Sequence, residues 1–294
     1  MKIGVVFPHA ETGTDPAAIR DLAQAVEQLG FTHILAYDHV VGADPDREGG
    51  WTGPYTKDTP FREPLVTFAY MAAITTKLEF TTGIIILPQR QTALFAKQAA
   101  DLDLLSGGRL RVGIGTGWNT VEYEALGQDF HTRGQREAEQ VRLLRKLWSD
   151  EIVDFHGKFD TVSRASINPR PTRRIPIWFG GGSPAVIKRM ARLGDGWIVT
   201  GIPDDRLRAS LEELRGLVAA AGRDASSFGL EGTVNISDGD PDRWVRQSET
   251  WRTLGATHIS IRTMPGIRAP REGITVDDHI AALRRYREAV PVEK

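Results

Sequence analysis

Along the chain, short apolar runs alternate with longer stretches in which apolar residues return every three or four positions. The short runs cover residues 3–7, 33–37, 78–87, 110–114, 175–179, 196–200, 228–236 and 258–262. They are rich in Ile, Val and Phe with little polar alternation, the pattern of strands buried on both faces. The longer stretches carry one apolar stripe each: Ile19, Leu22, Val26 and Leu29; Val186, Ile187, Met190 and Leu193; Trp244, Ser248, Trp251 and Leu254; Ile280, Leu283, Tyr286 and Val290. That spacing predicts amphipathic helices. Asp15 followed by Pro16 marks the start of the first, as N-cap and first helical residue. Three helices end in the same way, at Leu29-Gly30, Leu193-Gly194 and Leu254-Gly255, each shortly before a strand. Glycine there predicts a left-handed residue that closes the helix.

About eight strand–helix units in 294 residues predict an α/β protein built as a (β/α)8 TIM barrel, with an open doubly wound sheet as the alternative. Two stretches break the rhythm and are read as insertions after strands 2 and 4. Residues 40–63 hold Gly42, Pro45, Gly49, Gly50, Gly53, Pro54 and Pro60 together with Trp51 and Tyr55. A connection that long without its own periodicity, carrying two aromatics, reads as a lid-like loop. Residues 151–174 read as a hairpin around His156-Gly157 followed by an extended Pro169-Arg170-Pro171 segment. The whole of 1–294 is therefore read as one barrel domain.

Charge narrows the partners. The net charge is -1, with 26% charged residues, so no nucleic acid or anionic membrane is expected. No window approaches the roughly 18 apolar residues of a spanning helix. The start, MKIGVVFPHAETG, has too short an apolar stretch for a signal peptide, and the chain has no cysteine. A soluble cytoplasmic protein is expected.

In a parallel barrel, chemistry gathers at the carboxyl ends of the strands and stability at the amino ends. By that rule His33 and His258, at strand starts in matching Thr-His-Ile contexts, are structural. His9 and His39 follow strand ends and belong to the site. His131, His156 and His279 are assigned to loops or to the insertion. Further residues at the carboxyl rim are Glu11, Gln89, Arg90, Thr116 to Asn119, Gly180 to Ser183, Thr200 and Asn235. Together they suit an organic ligand with anionic and hydrogen-bonding parts.

Glycine clusters say more. Phe179-Gly180-Gly181-Gly182-Ser183-Pro184 joins a strand to a helix whose N-cap is Ser183, the arrangement of a phosphate-binding helix N-terminus. A tight turn without a ligand is the bland alternative. Gly113-Ile114-Gly115-Thr116-Gly117-Trp118-Asn119 fails as a dinucleotide fingerprint, because Trp118 stands where the third glycine is needed. It remains credible as a donor-rich second wall. Gly83, inside a β-branched run, predicts a bulge or a backbone passing close to a ligand. No metal site is expected: His9 lacks an H-x-H partner and no H-E-x-x-H occurs. Ser183 lies on no nucleophile elbow.

The segments AYDHV, TTGIIILPQR, AKQAADLDLLSGGRLRVGIGTGWN and PIWFGGGSPAVIKRMARLGDGWI resemble the luciferase-like monooxygenase superfamily, in particular its deazaflavin (coenzyme F420)-dependent oxidoreductases. The resemblance is specific up to about Thr200 and mainly architectural beyond. It implies a (β/α)8 barrel, a homodimer, and a small-molecule substrate. It implies that Asp38 hydrogen-bonds the cofactor and that His39 is the catalytic residue beside the reactive carbon of the ring. A cis peptide at Gly83-Ile84 would back the ring. Thr116, Gly117, Asn119, Gly181, Gly182 and Ser183 would hold its ribityl and phosphate portion. His9, Trp51, Tyr55, Trp118 and Thr200 fall on the substrate side, with Trp51 and Tyr55 closing over it. Relatives that oxidise sugar phosphates carry a glutamate just after the GTG turn, where this chain has Trp118. That substitution removes the proton-transfer group their chemistry needs.

Two other functions compete with F420-dependent hydride transfer. An FMN-dependent monooxygenase of the same superfamily would use reduced flavin and O2. A basic groove for an oligoglutamate tail would favour F420, with Arg90, Arg133, Arg136 and Arg170 as candidates. A sugar-phosphate isomerase or aldolase on the same barrel is disfavoured, because no lysine stands at an expected strand end.

Overall fold

The computed structural model describes residues 1–266 and 273–291. In chain order its strands and helices are β1 (Lys2–Val6), α1 (Pro16–Gln28), β2 (His33–Ala36), α2 (Pro64–Ala72), β3 (Glu79–Thr82), β4 (Ile85–Ile86), α3 (Thr92–Leu105), β5 (Leu110–Gly115), α4 (Thr120–Ala125) and α5 (Arg133–Ser149). They continue with β6 (Val153–His156), β7 (Thr161–Ala165), β8 (Ile177–Gly180), α6 (Pro184–Leu193), β9 (Gly196–Ile198), α7 (Asp205–Ala220), β10 (Gly229–Asn235), α8 (Pro241–Thr253), β11 (His258–Arg262) and α9 (Val276–Ala289).

All pairings in the main sheet are parallel. The order β3-β2-β1-β11-β10-β9-β8-β5 is closed by pairing of β3 with β5, and β4 continues along β5. Because β3 and β4 are two halves of one strand, the sheet is a closed eight-stranded (β/α)8 barrel. The open doubly wound sheet is excluded by that closure. The apolar run at residues 78–87 is thus interrupted, and the peptide bond Gly83-Ile84 at the interruption is cis. The second interruption of the rhythm contains the antiparallel hairpin β6–β7. Residues 40–63 contain no regular helix or strand.

The helix boundaries follow the local chemistry. Asp15 accepts the Ala17 N–H at 2.8 Å and Pro16 opens α1. Gly30 and Gly255 end their helices in the left-handed region, at φ +75° and +83°. Gly194 does not. Its φ is -87°, and a Cβ there would stand 2.8 Å from Phe179 Cδ2, so close packing is what calls for glycine. His279 lies in the first turn of α9, not in a loop, and its ring meets Thr263 Oγ1 at 2.8 Å and Glu11 at 3.0 Å.

The main core fills the space between barrel and helices, where Phe7, Phe68, Phe80, Phe95, Trp244 and Trp251 are buried. Inside the barrel the packing is layered. At the amino end, Glu231 meets Arg111 Nη1 at 2.5 Å, His33 Nε2 at 2.9 Å and Ser260 Oγ at 2.6 Å. Arg111 also reaches Glu79 at 2.8 Å and lies over the Trp178 ring. Val6, Leu35, Trp178 and Ile198 form an apolar layer above. No helix among the described residues is long and apolar enough to cross a membrane.

Candidate active site

Above that layer, at the carboxyl ends of the strands, lies a cavity of about 410 Å³. This falls within the roughly 300–1,000 Å³ of small-molecule sites. It is lined by Tyr37, Asp38 and His39 after β2, Gly83, Ile84 and Ile86 around the cis peptide, Gly115 to Trp118 after β5, Gly180, Gly181 and Val186 at β8–α6, and Thr200 after β9. Five strand ends thus meet in one space. Of the residues expected there, Asp38, His39, Gly83, Ile84, Thr116, Gly117, Gly181, Trp118 and Thr200 line it directly.

The floor depends on missing side chains. A Cβ on Gly115 would fall 2.0 Å from Ile84 Cδ1, and one on Gly180 would fall 2.8 Å from Ile84 Cγ2. Any larger residue would push Ile84 into the cavity. Gly181 has φ +87°, a conformation that side chains resist, as it hands the chain to α6. Ser183 caps that helix by accepting the Val186 N–H at 3.4 Å. Gly182 and Ser183 are exposed beside the cavity. The free N–H groups of this helix start offer a place for an anion.

Asp38 and His39 meet the cavity differently, as the end of a strand requires. The buried Asp38 carboxylate accepts the Ile86 N–H at 3.0 Å and the Arg90 guanidinium at 2.7 Å. Arg90 also contacts Glu63, the N-cap of α2, at 3.0 Å. Asp38 therefore ties the end of the lid-like loop to the split strand. His39 lies 2.6 Å from Tyr55 Oη through Nδ1, and 3.3 Å from Glu122 Oε1 through the same atom.

The other expected residues stand one layer back. Tyr55 is buried behind His39 and receives the Asn119 Nδ2–H at 2.8 Å, so it does not cover the mouth. Asn119 also caps α4, accepting the Val121 N–H at 3.0 Å. His9 is buried beside Tyr37 and Phe61, and its Nε2 accepts the Tyr37 N–H at 3.0 Å. Burial first, then His39 and Arg62, lower the His9 imidazole to about 3, so it is neutral at physiological pH. Trp51 stacks on Trp118 with ring centres 5.8 Å apart. Trp118 is 46% exposed and forms the rim of the cavity.

The four arginines expected to form a basic groove lie apart in their contacts. Arg90 is occupied by Asp38 and Glu63, and Arg133 lies over Phe130. Arg136 reaches the Arg90 carbonyl at 3.5 Å. Arg170 lines a different cavity with Arg145, Arg174 and Ile175, at the amino end of β8. The four do not form one groove. Among the described residues, no group of three or more His, Cys, Asp or Glu could hold a metal ion.

Glu122 was not anticipated. It occupies the third position of a six-residue helix, too short for periodicity to show which side faces inward. Asn119-x-x-Glu122 is a capping-type spacing, yet Glu122 Oε1 accepts the Val40 N–H at 2.9 Å instead of bonding to the cap.

Comparison with known proteins decides the family. The family model described as luciferase-like monooxygenase matches residues 1–290. This chain belongs to the luciferase-like monooxygenase family. An uncharacterized protein of Mycobacterium tuberculosis is 37% identical to this luciferase-like chain over 220 residues, covering 71% of the chain and 75% of the relative. The F420-dependent hydroxymycolic acid dehydrogenase of the same organism is 30% identical over 260 residues, covering 86% and 68%. The FMNH2-dependent dimethylsulfone monooxygenase of Pseudomonas fluorescens is 31% identical over 223 residues, covering 74% and 57%. An F420-dependent secondary alcohol dehydrogenase, solved with an F420-acetone adduct, superimposes on the luciferase-like barrel with a TM-score of 0.79 at 19% identity, covering 99% of each chain. That likeness concerns the fold. The family's members are oxidoreductases and monooxygenases, so this protein is an enzyme of that class.

Proposed function

We propose that this enzyme moves a hydride between coenzyme F420 and a small, uncharged organic substrate. The observation that carries the reading is the combination of a glycine-floored cavity with one imidazole, His39, whose Nε2 has no protein partner among the described residues. A floor of Gly83, Ile84, Gly115 and Gly180, three of them without side chains, would leave room for a planar tricyclic ring. Thr116, Gly117, Gly181, Gly182 and Ser183 would hold the ribityl and phosphate portion, the last three through the start of α6. Asp38 would act on the ring through the Ile86 amide and Arg90 that it fixes, and Asn119 through Tyr55. When bound, the deazaflavin supplies the two-electron hydride chemistry.

The protein's own residues then have separable tasks. His39 holds or accepts a proton at Nε2, being the side chain whose ordinary pKa lies nearest neutrality. Trp118 and Trp51 exclude water from the rim and present an aromatic face to the substrate. Among the described residues no Lys or Arg lines the cavity, which favours an uncharged substrate over an anionic one such as a sugar phosphate. Trp118 itself can transfer no proton.

The FMN-dependent monooxygenase reading keeps one specific support, the 31% identical FMNH2-dependent relative. A parallel titration of the purified protein with F420 and FMN, followed by fluorescence, separates the two. Tight F420 binding with weak FMN binding is expected. Tight FMN binding without F420 binding would replace the first reading by the second.

A further inference from the structure

Behind His39 stands a buried carboxylate that the proposed reaction has not yet used. The Glu122 side chain is 1% exposed, against 13% for His39. Its Oε1 accepts the Val40 N–H at 2.9 Å and lies 3.3 Å from His39 Nδ1. Tyr55 Oη approaches the same ring nitrogen at 2.6 Å.

These contacts constrain where the protons can be. Asn119 turns its Nδ2–H to Tyr55 at 2.8 Å, while its Oδ1 accepts the Val121 N–H, so Tyr55 Oη is an acceptor toward Asn119. The single phenol proton then goes either to His39 Nδ1 or to Glu122. If it went to Nδ1, the imidazole lone pair and the carboxylate oxygen would face each other at 3.3 Å with no proton directed between them. If Nδ1 carries the proton, it serves the phenol oxygen at 2.6 Å and faces the carboxylate at 3.3 Å, and the phenol proton is left to turn toward the side of Glu122, whose charge acts on the phenol. Burial most strongly, and Glu122 in addition, raise the Tyr55 phenol well above its ordinary value against the lowering effect of Asn119, so it keeps its proton. The second arrangement removes the opposition of the Nδ1 lone pair and the carboxylate. It leaves Nε2 a bare acceptor on the cavity side.

We propose that Glu122 is a positioning residue that holds His39 in the Nδ1–H tautomer, so that Nε2 takes the hydroxyl proton of an uncharged alcohol substrate. The proposal rests on the hydride-transfer reading above and narrows its substrate to an alcohol–carbonyl pair. In the oxidising direction the O–H bond breaks and the proton bonds to Nε2. The electron pair left on oxygen forms the C=O bond as the carbinol carbon gives up hydride to the oxidised cofactor. The imidazolium so formed faces Glu122 through Nδ1–H, and the reverse reaction returns the same proton to oxygen. A carboxylate that orients an imidazole in this way governs its tautomer without itself becoming protonated.

The test reads the tautomer directly. Protein labelled with 15N-histidine is examined by two-bond 1H–15N correlation near neutral pH, with His39 assigned by its loss in His39→Asn. Wild-type His39 is expected to show a proton on Nδ1 and an unprotonated Nε2. Glu122→Gln, whose amide can donate to Nδ1, should move the proton to Nε2 and lower kcat by ~10²-fold, leaving KM and F420 affinity unchanged. Glu122→Asp should retain the Nδ1–H signature. If Glu122→Gln does not fold, Tyr55→Phe is the second variant and should keep the Nδ1–H tautomer, since the carboxylate still faces it. A wild-type proton on Nε2, or Glu122→Gln with wild-type tautomer and turnover, would overturn the proposal, as would loss of the tautomer in Tyr55→Phe. Absence of F420 binding alongside the expected tautomer would overturn the cofactor reading alone.

Discussion

At the amino end of the barrel, Glu231 is surrounded by Arg111, His33 and Ser260; at the carboxyl end, His39 meets its neighbours through Nδ1 and keeps Nε2 open to a cavity. Both clusters combine a buried carboxylate with an imidazole. They are separated by Val6, Leu35, Trp178 and Ile198. In the lower cluster each oxygen of Glu231 has a close donor, so it has nothing to offer a ligand. In the upper one Glu122 Oε1 stands 3.3 Å from His39 Nδ1, and His39 Nε2 has no protein partner among the described residues. The presence of buried charge therefore does not mark the site. An incomplete set of partners beside open space does.

The largest expected effect comes from breaking the closed cluster. Burial pushes the Glu231 carboxyl up, but Arg111 and His33 more than offset it and hold the group well below the usual carboxylate range. Arg111→Met removes the main counter-charge and should cost about 3–5 kcal/mol of folding stability in denaturant titration, the usual result of leaving a buried charge unpaired. F420 affinity of the folded fraction should be unchanged. Equal losses of stability and of affinity would show that the apolar layer does not insulate the two ends.

His39→Ala makes the opposite break. Turnover should fall ~10²–10⁴-fold, the typical contribution of a positioned acid or base, with a smaller loss of stability than in Arg111→Met, because Tyr55 and Glu122 lose only their contacts with the imidazole. Full turnover in this variant would remove His39 from proton transfer.

A smaller effect ties both ends together through pH. His9, at the carboxyl end, and His258, at the amino end, are each lowered, chiefly by burial, from 6.5 to about 3. Below 6.5 the unfolded chain binds protons on both while the folded protein binds them only near 3. Stability is thus fully present above 6.5 and declines as pH falls toward 3. His9→Gln and His258→Gln should each flatten part of that decline in urea titrations, and independently, because they sit on opposite sides of the apolar layer. A wild-type stability that is flat across this range would contradict the neutral assignments.

The barrel was legible because parallel strands are buried on both faces and leave unbroken apolar runs, and because strand ends gather the site whatever their order. His39, Thr116, Gly117 and Gly181 came together on that rule, and Asp38 through the family resemblance. What stayed hidden has physical causes. The apolar run continues across the break between β3 and β4, so there only Gly83 and the resemblance marked the interruption, not the hydrophobic pattern. A glycine after a helix does not say whether it is needed for a positive φ, as at Gly30, or for room, as at Gly194. Loop 40–63 has no period, so nothing distinguished Tyr55, buried behind His39, from Trp51 at the rim. Glu122 was invisible for the same reason in its single short helix.

The smallest expected effect lies at that rim. Trp51 stacks on Trp118 at an interplanar angle of 25° and donates its Nε1–H to the Tyr55 carbonyl at 2.6 Å. Trp51 thus joins Trp118, which lines the cavity, to the backbone of Tyr55, whose hydroxyl meets His39. Loss of an aromatic pair removes about 0.5–1.5 kcal/mol, so Trp51→Ala should raise KM by roughly 2- to 12-fold for an apolar substrate and leave kcat unchanged. Trp118→Ala should raise KM as well, and the double variant should fall short of the product of the two, because both substitutions delete the same stacking contact. A loss in kcat larger than the rise in KM would mean that the loop acts on His39 through Tyr55, joining the rim to the proton-handling cluster.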